Sequence, residues 1–120
     1  MAERTFGYAL RELRRGAKLS QRELANRIGV DFSYISKIEN ERLPPPSADT
    51  IVEICAVLNA KPEELLALTG KIPTNVQKSL SSSRAAQEFL SQIQGMDLTD
   101  EEWKIMVKSL QKLRRQPRDE

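Results

Sequence analysis

The sequence predicts an all-α fold, a five-helix domain over residues 1–70 followed by a small helical extension over residues 71–120. Three observations carry this prediction. Apolar residues recur at three- and four-residue spacing through successive segments, the period of one helix face. Ser, Thr or Asp stands just before most of these segments, where a side-chain oxygen can close free N–H groups. Gly, Asn and Pro mark the breaks between them.

Helix one is expected over Arg4–Ala17, with Phe6, Leu10 and Leu13 inward. Arg11, Arg14, Arg15 and Lys18 are expected on its outer side and C-terminal end, where cations suit the helix dipole. Ser20 with Glu23 three residues later reads as a capping box that opens helix two. Leu24, Ala25 and Ile28 share one face of that helix, and the small Ala25 lets a neighbour approach closely. Gly29 supplies a left-handed residue at its end. Asp31 caps helix three, whose Ile35 and Ile38 form its buried side. The run Arg42-Leu43-Pro44-Pro45-Pro46 is a stiff connector, because proline fixes φ and cannot continue a helix. Ser47 caps helix four, Ala48 to Leu58, with Ile51, Ile54, Cys55 and Leu58 at core spacing and Asn59 as its left-handed end. Pro62 falls in the first turn of helix five, with Leu65, Leu66 and Leu68 to bury and Gly70 to close it.

The segment Lys71-Ile72-Pro73-Thr74 marks a boundary, and the serine-rich stretch Ser79–Ser83 reads as a helix interruption or a flexible piece. Two further helices follow. One contains Ala85, Ala86, Phe89, Leu90 and Ile93. The other starts at Thr99 with a second capping box to Glu102, and carries Trp103, Met106, Val107, Leu110 and Leu113 on one side. The tail from Arg114 to Glu120 is expected to fray. Two helices bury too little of this apolar surface by themselves, so it must meet the first domain or a second copy. Dimerisation is the expectation, through Phe89, Leu90, Ile93, Trp103, Met106 and Leu110.

Composition narrows the function. No apolar run approaches the ~20 residues needed to span a bilayer, and the first residues lack an apolar signal region, so a cytoplasmic protein without membrane partners is expected. Cys55 is the single cysteine and there is no histidine. That removes an internal disulfide, the commonest general base and the commonest metal ligand. No nucleophile–base pair, phosphate loop or metal spacing stands out, so neither catalysis, metal nor cofactor is expected. Charge is uneven: residues 1–45 hold nine Lys/Arg against six Asp/Glu, residues 46–70 hold one against four, and residues 71–120 hold nine against seven. The basic excess suits a phosphate-facing surface in the N-terminal part.

Residues 19–40 are the most informative run. Two short helices meet at the Gly29 turn, and the second leaves Phe32, Ser33, Ser36, Lys37 and Asn40 outside its buried face. That is the layout of a helix-turn-helix, which lays its second helix into the DNA major groove. An ordinary helical hairpin has the same periodicity, but the Ser-Gln start, Leu-Ala pair, Gly turn and Ile-x-x-Ile-Glu ending coincide here. From Phe6 to Leu68 the chain resembles the Cro/C1 (xenobiotic-response-element) family of regulators. The matching residues are Leu10-Arg11-Glu12-Leu13-Arg14, Leu19-Ser20-Gln21, Leu24-Ala25, Gly29-Val30, Tyr34 through Asn40, Pro46-Ser47, Leu58 and Glu64-Leu65-Leu66. Two departures are Glu41, where the family often has glycine, and Asp31, where it often has Ser or Thr.

The resemblance implies a lambda-repressor-like domain of a bacterial or phage-derived, DNA-associated regulator. The best expectation is a repressor that binds double-stranded DNA as a homodimer; an antitoxin that represses its own operon, a restriction–modification controller and a protein-binding adaptor are the alternatives. Phe32, Ser33 and Lys37 match the family's base-contacting positions, and Ser36 joins them on the groove side. Lys37 has the chemistry to donate to guanine and Phe32 to touch a thymine methyl. Gln21 matches the family's phosphate- and base-adjacent glutamine and is expected on phosphate; Tyr34, Asn40 and Arg42, with Arg11 or Arg14, are further expected phosphate contacts. Glu39 is expected to hold the scaffold by pairing with an arginine such as Arg14. The tail resembles those of ImmR- and DdrO-type repressors, in which a companion metalloprotease cuts this region and abolishes dimerisation. Such a protease, or a toxin in the autorepressor reading, is the further partner these resemblances raise.

Overall fold

The computed structural model describes residues 4–116, and all regular structure among them is helical. In chain order the helices are α1 (Phe6–Gly16), α2 (Gln21–Ile28), α3 (Phe32–Glu39), α4 (Ala48–Val57), α5 (Glu63–Thr69), α6 (Thr74–Ser82), α7 (Arg84–Ile93) and α8 (Asp100–Arg115). The chain divides into two compact units, residues 1–78 and 79–120, and α6 runs across the division.

In the first unit, α3 packs on α1 and α2, α4 packs on α2, and α5 closes the bundle against α1 and α4. The core lies between them. Leu10, Leu24, Ile35, Ile38, Ile51, Ile54, Cys55 and Leu65 are its largest fully buried side chains, and Phe6 and Leu58 flank them. The expected core spacing of α1, α3 and α4 is present. Leu68 departs from it: it is exposed, and α5 buries Leu65 and half-buries Leu66.

Local capping sets most helix ends. Ser20 and Glu23 exchange hydrogen bonds, Glu23 N–H to Ser20 Oγ at 3.0 Å and Ser20 N–H to Glu23 Oε1 at 3.1 Å. Thr99 and Glu102 repeat the box at α8. Thr5, Asp31, Ser47 and Ser83 cap α1, α3, α4 and α7. Gly29 turns left-handed at φ 76° and hands α2 to α3. Pro62 stands one position before α5 rather than inside its first turn.

The expected helix interruption within Ser79–Ser83 falls at its last residue, Ser83, between α6 and α7. Ser79 to Ser82 complete α6, a helix the periodicity did not show, and Ser83 is the cap of α7. The start of α6 is held from a distance: Thr74 donates its N–H to Asp49 Oδ1 at 2.9 Å and its hydroxyl to Asp49 Oδ2 at 2.6 Å. A carboxylate at a helix N-terminus is favourable, and these bonds hold the Asp49 carboxyl below its ordinary pKa. Lys71 Nζ donates to the carbonyls of Pro45 and Pro46, tying the same segment to the proline connector. At the other end of the chain, Arg114 and Arg115 are helical rather than frayed; the expectation for residues 117–120 lies outside the described residues.

In the second unit, no residue of α7 or α8 is buried. Phe89, Leu90, Trp103 and Leu110 are exposed, and Ile93 and Met106 are half-buried.

Candidate nucleic-acid interface

A buried ion pair aims the outward face of α3. Arg14 was expected on the outer side of α1, yet it is buried. Its guanidinium grips Glu39 at the end of α3 with two bonds, Nε to Oε2 at 2.7 Å and Nη2 to Oε1 at 2.9 Å. Its Nη1 donates to the Leu19 carbonyl at 2.9 Å, so α1, the α1–α2 loop and α3 are fixed by one side chain. The pairing expected between Glu39 and Arg14 is therefore present. Gln21 Nε2 donates to Glu39 Oε1 at 3.0 Å, and Arg11 Nε reaches the same oxygen at 3.4 Å.

The Glu39 side chain has no solvent exposure. Burial pushes its carboxyl up, but the bonds from Arg14 and Gln21 and the Arg14 charge outweigh it and hold the pKa below its ordinary value. The hydrogen bond from Arg14 to Glu39 likewise raises the guanidinium above its own ordinary value, against the effect of burial.

A second contact closes the other end. Glu41 adopts a left-handed backbone at φ 62°, the geometry for which glycine is the easy choice. Its carboxylate reaches back to accept the Gly7 N–H at 3.0 Å, capping α1. The other acid that departs from the family pattern is also a cap, since Asp31 Oδ1 accepts the Ser33 N–H at 3.0 Å. Both acids are thus committed to helix N-termini.

With the frame fixed, the expected site residues sort into two groups. Phe32, Ser33 and Lys37 lie exposed on α3, and Arg42 is exposed just past it. The Arg42 N–H bonds the Lys37 carbonyl at 2.8 Å, which sets the chain's exit from α3. The others are tied into the scaffold. The Gln21 amide is spent on Glu39. Asn40 Oδ1 accepts from Arg11 Nη2 at 2.8 Å, and its Nδ2 donates to the Ser36 carbonyl at 2.9 Å. Ser36 is half-buried, and Tyr34 packs against the core.

Beside α3 lies an open cleft of about 610 Å³, lined chiefly by Arg11, Arg14, Arg15, Gln21, Arg22 and Phe32. Arg22 was not among the expected site residues, yet its guanidinium carbon lies 4.5 Å from the centroid of the Phe32 ring. The sequence signal for it was its place at the start of α2, one residue after Gln21. Its partner Phe32 is ten residues away across the turn, so spacing alone does not reveal the stack.

The match to known proteins falls on this frame. Residues 10–65 match the helix-turn-helix family model HTH_3. Residues 10–65 form a helix-turn-helix domain of the Cro/C1 type. This helix-turn-helix domain takes in the ion pair, α2, α3 and the proline connector. A Bacillus subtilis (strain 168) protein named as the uncharacterized HTH-type transcriptional regulator RghRB is 39% identical over 82 residues, which is 68% of this chain and 59% of that protein. The chain therefore spans about three fifths of that relative's length. Among solved structures, a SinR protein/SinI protein complex has a similar fold, with a TM-score of 0.50 and 20% identity over 93% of this chain and 100% of the other. A hypothetical transcription factor NHTF from Neisseria aligns with a TM-score of 0.46 and 27% identity over 65% of this chain and 81% of the other. No helix among the described residues is long and apolar enough to cross a membrane.

Proposed function

We propose that this chain is a sequence-specific DNA-binding transcription regulator, a repressor that acts as a homodimer on a two-fold operator. One observation carries the reading: Phe32, Ser33 and Lys37 stand exposed on α3 while Glu39 on the same helix is locked to α1 by the buried Arg14. A reading helix has to present its outer side chains from a rigid base, because groove contacts need fixed register. The arginine cleft next to it supplies the positive potential for phosphates. Lys37 and Ser33 meet base edges, Phe32 meets a thymine methyl, and Arg42 with the arginines of the cleft holds the backbone.

The test is duplex binding as a function of salt. Neutralising phosphates releases counterions, so with six or more phosphates contacted affinity should fall by about 10³-fold or more between about 50 and 200 mM salt. Binding that is flat in salt would favour a protein-binding adaptor instead.

The homodimer reading rests on the second unit. Trp103 and Leu110 are 42% and 60% exposed on α8, and apolar side chains of this size grouped on one helix mark an interaction surface. A two-fold dimer reads two half-sites about 34 Å apart, one turn of DNA. Sedimentation of the full chain should show a dimer and of Leu110→Glu a monomer. A Leu110→Glu variant that stays dimeric would remove α8 from the interface.

A further inference from the structure

The structure assigns a reading role to Arg22: we infer that its guanidinium, seated on the Phe32 ring, determines specificity by recognising a guanine at the end of the sequence met by α3. This rests on the DNA-binding reading above.

Arg22 lies in the first turn of α2 and Phe32 is the first residue of α3, so the stack joins the two helices at the N-terminal end of the reading helix. That end is the one from which such helices reach base edges. Phe32 is no core residue. Ile35 and Ile38 are the buried apolar positions of α3, whereas Phe32 is 37% exposed. A large aromatic at that place has a purpose other than packing, and the guanidinium over its face supplies one.

Arg22 forms no hydrogen bond and no ion pair among the described residues. The adjacent carboxylate of Glu23 is engaged in the Ser20 capping box. The guanidinium carbon lies over the ring, and with no acceptor for them among the described residues its N–H groups are left for an outside one. The contact also restricts a long side chain before DNA arrives, which lowers the entropy cost of binding. Guanine O6 and N7 are the acceptor pair that a planar, two-pronged donor matches. Lysine has the same charge but lacks the fork. Phe32 is then the positioning residue for Arg22 as well as an apolar neighbour of the bases.

The experiment uses the full chain and a random duplex pool, comparing wild type with Arg22→Lys, Arg22→Ala and Phe32→Leu. Wild type is expected to prefer guanine at one base pair per half-site by roughly 5- to 150-fold. All three variants are expected to lose that preference and keep the one set by Lys37. Arg22→Lys should also keep the wild-type salt slope. Thermal melting of each variant should stay within about 8 °C of wild type, the scale of losing one surface cation–π contact.

An unchanged preference in the Arg22 variants overturns the proposal. So does uniform weakening on every duplex with a shallower salt slope in Arg22→Ala, which makes Arg22 a phosphate contact. Loss in the Arg22 variants with retention in Phe32→Leu overturns the platform role of Phe32. A wild-type chain that selects no sequence overturns the DNA-binding reading itself, a result distinct from the other three.

Discussion

Glu39→Ala is expected to lose about 3–5 kcal/mol of folding stability, the scale for removing one partner of a buried ion pair. Three groups lose their acceptor at once: the Arg14 fork, the Gln21 amide and Arg11 Nε. Arg14 keeps only its bond to the Leu19 carbonyl, and a buried cation without a counter-charge is the costly outcome. A urea titration of wild type and variant measures the loss. The paired replacement Arg14→Met with Glu39→Leu separates the cost of an orphaned charge from the worth of the pair. It should be closer to wild type than Glu39→Ala, since apolar residues of similar volume often replace a buried pair without loss. A Glu39→Ala loss under ~1 kcal/mol would rank the pair with exposed surface bridges.

The same group sets part of the acid response. The folded-state pKa of Glu39 lies below its unfolded value, so the unfolded chain binds the proton more readily. The contribution is complete above the unfolded carboxylate pKa of about 4.3. It is lost as pH falls through the lower, folded value. Glu39→Gln should therefore flatten the fall of stability below about pH 4. It should not abolish that fall, because Glu23, Asp31 and Asp49 are shifted in the same direction by their capping and turn hydrogen bonds.

Gly7→Ala should destabilise by about 3 kcal/mol, at the upper end for overpacking. In an ordinary helix this change stabilises by about 1 kcal/mol, because glycine has more freedom to lose. Here the sign reverses. A Cβ on Gly7 would lie 2.6 Å from the carbonyl oxygens of Ile38 and Glu39 and 2.5 Å from Glu41 Oε1. The glutamate tip can swing away, but the two carbonyls belong to the end of α3 and move only if α1 and α3 separate. That separation also breaks the Gly7 N–H bond to Glu41. Gly16→Ala is the internal comparison: it sits in the same helix with no atom within 4 Å of its Cβ position, and should be neutral or mildly stabilising. Equal thermal shifts for the two variants would contradict the close approach of α1 to α3.

Where the physics is local, the sequence was legible. Ser20 with Glu23, Thr99 with Glu102, Ser47, Asp31, Gly29 and Asn59 act on their own helix ends within a few residues, and all take the expected roles. The buried faces of α1, α3 and α4 follow from spacing alone. Arg14 was misplaced on the outer side of α1 because its burial depends on Glu39, 25 residues later. The start of α6 is held by Asp49, also 25 residues away. Its serines are only weakly unfavourable in a helix, so Ser79 to Ser82 stay helical and the interruption narrows to Ser83, the cap of α7. In the candidate site, Phe32, Ser33 and Lys37 were visible as the unburied face of α3. The ties of Gln21 to Glu39, of Asn40 to Arg11 and of Arg22 to Phe32 were not. Each joins two helices, and no one-dimensional pattern encodes the angle between them.

Selection of duplexes from a random pool by the full chain tests the central claim, that the outer face of α3 reads DNA sequence. The account predicts one enriched two-fold sequence with half-sites about 34 Å apart. It further predicts that Lys37→Ala lowers affinity for it by ~1–3 kcal/mol and relaxes the preference at one base pair per half-site. A pool without an enriched sequence, or a Lys37→Ala variant that weakens on every duplex alike, would contradict it.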